Sequence, residues 1–229
     1  METMSTRARR QPAGGVGVGL LTAAALLLTA YLGLSIDAAH HHLLPLDRDV
    51  RAWVQPMRSG GLDLSMETVS LLGEPSGLVP LILLSSALLW RSSRRWAVLL
   101  PVVMAGTGAL QVAGKWAADR PRPNAAPWGF PSGHVLSLVV FFGVVAFLLV
   151  TLSERRRRFR ILACLPCAAT VSLVAASRIY LDMHWLSDVV GGFVLGTAYL
   201  LLALWAHQRL FVPRPAAAAA ESVPAVSAA

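Results

Sequence analysis

Apolar residues in this chain gather into six long runs separated by short polar breaks, at roughly 14–36, 75–90, 96–114, 133–152, 161–176 and 186–206. Crossing a bilayer takes about 20 apolar residues at about 1.5 Å of rise each. The second and fifth runs are short and must borrow flanking residues. Each run is expected to be a helix, because a backbone facing lipid has to satisfy its own hydrogen bonds. The stretch 37–74 is too polar to span. Its spaced apolar residues Val50, Trp53, Val54, Met57, Leu62, Leu64 and Met66 predict short amphipathic helices on the membrane surface. The expected fold is all-α, a polytopic membrane bundle of about six spans with short interfacial helices between the first two.

Composition sharpens this picture. The 229 residues are 55% hydrophobic and 14% charged, with mean hydropathy +0.60, which a soluble domain of this length rarely shows. No linker splits the runs, so one domain is expected over 14–212, preceded by a basic cytoplasmic segment 1–13 and followed by an Ala- and Pro-rich disordered tail 213–229. The first run exceeds the roughly 7–15 apolar residues of a signal peptide, so it reads as an uncleaved anchor.

The formal charge is +8, but the basic residues flank apolar runs and form no stripe, so no nucleic-acid partner is expected. Arg7, Arg9 and Arg10, then Arg91, Arg94 and Arg95, then Arg155–Arg158 with Arg160, and finally Arg209 and Arg214 all fall on one side of a six-span chain. They are 13 of the 20 Lys and Arg residues, and the excess assigns that side to the cytoplasm. Both termini are then cytoplasmic, and the expected setting is a bacterial plasma membrane.

Cys164 and Cys167 lie inside an apolar run and read as helix packing, with no disulfide framework. His40, His41 and His42 are consecutive, so on a helix their side chains diverge and suit a metal poorly. Trp53, Trp116, Trp128 and Trp185 are expected in an interfacial belt.

Three stretches carry chemistry, and all fall on the side opposite the basic clusters. Lys115 closes the third run, and Arg122 follows among prolines that stop the helix. Pro131-Ser132-Gly133-His134 opens the fourth run, where free N–H groups can bind an anion and glycine admits it closely. Arg178 ends the fifth run. His184 and Asp188 are four apart at the start of the sixth, so on a helix they would share a face. A carboxylate on one ring nitrogen raises the nucleophilicity of the other.

Read together, Lys115-x6-Arg122-Pro123, Pro131-Ser132-Gly133-His134 and Ser177-Arg178-x5-His184-x3-Asp188 resemble the type 2 phosphatidic acid phosphatase superfamily, which also includes vanadium-dependent haloperoxidases. The resemblance implies roles. His184 looks like the nucleophile that becomes a phosphohistidine, Asp188 its orienting partner, and His134 the general acid. Lys115, Arg122, Ser132, Gly133 and Arg178 look like the phosphate cradle. Three cations and helix-start N–H groups can neutralise a phosphoryl group, so no metal or cofactor is implied. The expected activity is hydrolysis of a lipid phosphomonoester or pyrophosphate at the outer face, with lipid phosphate and membrane lipids as partners.

The same site could serve a phosphotransferase, a vanadate oxidant or a non-catalytic binder. The six spans weigh against the oxidant. The complete His184, Asp188 and His134 set weighs against the binder. Asp182, two residues before the nucleophile, departs from the small residue often found there. It is expected to face solvent or pair with Arg120.

Overall fold

The computed structural model describes residues 13–152 and 157–211. All but the last residue of the N-terminal segment 1–13, the tail from 213 onward and residues 153–156 of the basic loop lie outside the described residues. Eight α-helices follow in order. These are α1 (Ala13–Ala39), α2 (Pro45–Val54), α3 (Gly60–Ser70), α4 (Pro75–Ser92), α5 (Arg94–Ala118), α6 (Gly133–Leu152), α7 (Arg157–Tyr180) and α8 (Leu186–Phe211). Short 3-10 turns at Gln55–Met57 and Leu71–Gly73 lead into α3 and α4.

The apolar runs become α1 and α4–α8, each extended by a few residues past the apolar core. Among the described residues five helices are long and apolar enough to cross a membrane, and α4 reaches that standard only together with the 60–73 segment, from which it bends by 47°. Pro75 at the start of α4 explains the break, since its ring excludes a continuing helix and suits a first-turn position. The stretch 37–74 holds two short helices, as its spaced apolar residues predict.

Large apolar side chains such as Leu26, Leu88 and Val102 point outward, where lipid tails would meet them. Inside, Leu100, Leu138, Val140, Val144 and Val174 form the main core between α5, α6 and α7. Helices in lipid gain little from the hydrophobic effect and depend on close packing, which small residues permit. On α8 a Cβ at Gly192 would lie 2.6 Å from the Ser132 carbonyl oxygen, so α6 and α8 touch backbone to side. Alternating helices gather the segments 40–74, 119–132 and 181–185 at one end of the bundle. At the other end Arg95 Nη1 donates to the Phe211 carbonyl at 3.0 Å, joining the start of α5 to the end of α8.

Candidate active site

The site is built where three helix ends meet. Helix α5 stops at Ala118 because Asp119 turns into the left-handed region (φ 40°), and its N–H closes on the Lys115 carbonyl at 2.9 Å. The Arg120-Pro121-Arg122-Pro123 chain that follows cannot re-enter a helix. Lys115 Nζ donates to the Trp128 carbonyl at 2.6 Å, so the lysine is bent over the loop and does not snorkel outward.

Ser132 stands just before α6, and its carbonyl accepts the Leu136 N–H at 3.0 Å. The N–H groups of the first turn therefore have no helical partner. A Cβ at Gly133 would lie 2.2–2.4 Å from the Gln111 side-chain amide, so any larger residue there would displace that amide.

His184 is not in a helix, because α8 begins at Leu186. The expectation that His184 and Asp188 share a helix face is corrected in that respect. A capping arrangement brings them together instead. Asp188 stands in the first turn of α8, and its Oδ2 accepts the Trp185 N–H at 2.9 Å. The same Oδ2 lies 3.5 Å from His184 Nδ1, a long contact that aims the opposite nitrogen, Nε2, away from the carboxylate. His184 and Asp188 are both buried. Burial, helped by the Arg178 and Lys115 charges and opposed by Asp188, lowers the His184 imidazole to about 4. Burial also pulls the Arg122 guanidinium below its ordinary value, with Asp188 opposing.

A cavity of about 330 Å³ opens here, walled by Lys115, Arg122, Gly133, His134 and His184. Trp116 and Trp128 also line it, as do Gln111 and Val112, which precede the first of the three sequence stretches. Ser132, Arg178 and Asp188 form a buried layer behind it, where Arg178 Nη1 donates to the Ser70 hydroxyl. The structure therefore gathers every expected site residue at one end of the bundle. A second cavity of about 400 Å³ lies between α4 and α6 toward the other end. It is lined by leucines, one valine and Ser85, and it offers a phosphate no cation. Among the described residues no three His, Cys, Asp or Glu side chains are grouped to hold a metal ion.

Two ion pairs differ from expectation. Asp182 does not meet Arg120. It accepts both Arg51 Nε and Nη2, at 2.7 and 2.8 Å, and Gln55 Nε2 at 3.3 Å. Arg120 instead joins Asp188 and Asp47 in the interior, at 3.0 and 3.1 Å. Sequence reading missed Asp47 and Arg120 as parts of the site. Trp185 is also more than a belt residue, because its indole N–H donates to the Pro121 carbonyl at 3.2 Å and Arg51 lies 5.6 Å over its ring.

The chain is similar to several known proteins. The family model described as PAP2 superfamily matches residues 96–211, about half of the chain. The chain is 33% identical to phosphatidylglycerophosphatase B of Bacillus subtilis over 158 residues, which is 64% of this chain and 75% of that protein. It is 37% identical to phosphatidylglycerophosphatase B of Escherichia coli K12 over 86 residues, 38% of this chain and 32% of that protein. The crystal structure of a transmembrane PAP2-type phosphatidylglycerolphosphate phosphatase from Bacillus subtilis superposes with a TM-score of 0.74 at 25% identity, covering 83% of this chain and 98% of that one. The apolar helices and this membrane-spanning neighbour together make the chain an integral membrane protein.

Proposed function

Because the chain belongs to the PAP2 superfamily, we propose that it is a lipid phosphatase that hydrolyses a lipid phosphomonoester or pyrophosphate through a phosphohistidine. The observation that carries this reading is the single cavity wall shared by Lys115, Arg122, His134 and His184, with Asp188 behind the His184 ring. His184 Nδ1 faces Asp188, so Nε2 keeps its lone pair for phosphorus. As Nε2 bonds to phosphorus, the P–O bond to the lipid alcohol breaks, and His134 gives its proton to the leaving oxygen. Water then attacks the phosphohistidine and gives a proton back to His134. The N–P bond breaks and inorganic phosphate leaves. Lys115, Arg122 and the first-turn N–H groups of α6 neutralise the peripheral oxygens throughout.

Sideways entry from the membrane supports a lipid substrate. Trp116 and Val112 line the cavity and are also 75% and 56% exposed on the surface of α5, so the wall continues into the lipid-facing surface. A headgroup there meets the cations while its hydrocarbon stays in the bilayer. By the placement of Lys and Arg, this end of the bundle is the outer face.

The test is phosphate release by the purified protein from phosphatidylglycerol phosphate, phosphatidic acid and a polyprenyl diphosphate, with and without EDTA. Release from at least one, unchanged by EDTA, is expected, together with a loss of more than about 1000-fold in His184→Ala. Full turnover in His184→Ala, or an EDTA loss restored by Mg²⁺, would overturn the mechanism.

A further inference from the structure

The start of α8 is held from a distant part of the chain. Asp47 belongs to α2, yet its Oδ1 accepts the Ser187 N–H at 2.7 Å and its Oδ2 accepts the Ser187 hydroxyl at 2.8 Å. It thereby caps the second helix that depends on it, since Oδ2 also accepts the Leu44 N–H at 3.1 Å at the head of α2. Arg120 Nη2 donates to the same Oδ2 at 3.1 Å, while Nη1 donates to Ser187 Oγ at 2.7 Å and to Asp188 Oδ1 at 3.0 Å. Asp47, Arg120 and Asp188 are 1%, 2% and 0% exposed. Neither Asp47 nor Arg120 reaches the cavity wall.

Burying three charged groups is costly unless each is paired and hydrogen-bonded. Here the pairing also sets a charge. Arg120 alone against Asp188 would cancel the carboxylate behind His184, and Asp47 returns the chain to one net negative charge. As His184 takes the phosphoryl group its ring becomes cationic, with Nδ1–H still facing Asp188. Arg178, Lys115, Arg122 and His134 approach the same ring or cavity and none of them supplies negative charge.

We propose that Asp47 and Arg120 are positioning residues of the nucleophile, which fix Asp188 against His184 Nδ1 and keep one net negative charge behind the imidazole. The proposal rests on His184 being the nucleophile.

The test uses the full chain in detergent with dioctanoyl phosphatidic acid as substrate and inorganic phosphate as a probe of ground-state binding in the cradle. Asp47→Asn keeps the shape and removes the charge. Its kcat is expected to fall about 10- to 100-fold, as for other outer partners of a catalytic group. KM and inhibition by inorganic phosphate should stay within about threefold, since ground-state binding is untouched. The double variant Asp47→Asn/Arg120→Gln restores one net negative charge and should be several-fold faster than the single variant, whereas two merely structural losses would add. Wild-type kcat in Asp47→Asn, or a double variant no faster than the single one, overturns the proposal. Should Asp47→Asn fail to fold, Arg120→Gln carries the test. With Asp47 unopposed, the acid limb of kcat/KM should move up by roughly one pH unit. An unmoved limb also overturns it. His184→Ala judges the underlying reading separately, because turnover in that variant removes the nucleophile whatever Asp47 does.

Discussion

His134 and His184 must hold opposite protonation states when a phosphate is bound, and each state has a measurable consequence. His134 gives a proton to the leaving oxygen, a contribution that matters in proportion to the basicity of that oxygen. His134→Ala is therefore expected to lose about 100- to 10,000-fold on an alkyl phosphate and roughly tenfold or less on p-nitrophenyl phosphate. Equal losses on the two substrates would remove His134 from the acid role. His184 must be neutral to attack. Burial keeps its imidazole at about 4, so the neutral form persists down to that pH and activity should fall as pH drops through it. Stability follows the same sign. An unfolded histidine takes its proton near about 6.5, whereas the folded one resists until about 4, so thermal stability should decline between those values. An acid limb for kcat at about 6.5 would contradict the buried, neutral nucleophile, whereas kcat/KM also carries the free substrate's own ionisation at about 6.

At the scale of an element, α2 has a role that no local sequence pattern marks. Asp47, Arg51 and Gln55 are four apart and lie on one face of the helix and its 3-10 extension. All three bond to the 182–188 segment that carries His184. Leu46 and Trp53 are exposed on other faces, as an interfacial helix requires. The helix thus lies over the nucleophile segment as a strap. The Arg51–Asp182 contact is bidentate but partly exposed, so its share of stability is small, within about 1 kcal/mol. Its effect on position can be larger, since displacing a reacting group by about 1 Å can cost up to 100-fold in rate. Arg51→Ala should lower kcat about tenfold with little change in Tm. A kcat equal to wild type would show that the segment holds itself.

For the whole molecule the quantity to measure is orientation. The bundle places Arg91, Arg94, Arg95 and Arg160 near one end and Lys115, Arg122, His134 and His184 near the other. If the basic end is cytoplasmic, a cysteine at Ala125, in the exposed loop between α5 and α6, should react with a membrane-impermeant maleimide in intact cells. A cysteine at Ser92, at the end of α4, should react only after lysis. Both would be placed in a Cys164→Ser, Cys167→Ser background, since those are the chain's two cysteines. The reverse labelling would put the site on the cytoplasmic face.

Much of this molecule is legible in the order of its residues. The helices follow from apolar runs, because lipid leaves the backbone no alternative. The site's members follow from short local spacings at helix ends, and adjacent spans of alternating direction bring those ends to one side. What the sequence leaves open is pairing across long separations. Asp47 and Ser187 are 140 positions apart, Arg51 and Asp182 are 131 apart, and nothing local marks them as partners. Arg120 has a proline beside it and a second arginine two residues on, so its spacing does not predict that it turns inward while Arg122 faces the cavity. Only the folded bundle decides that, because a buried guanidinium is tolerable only where carboxylates already wait for it, and here they come from α2 and α8.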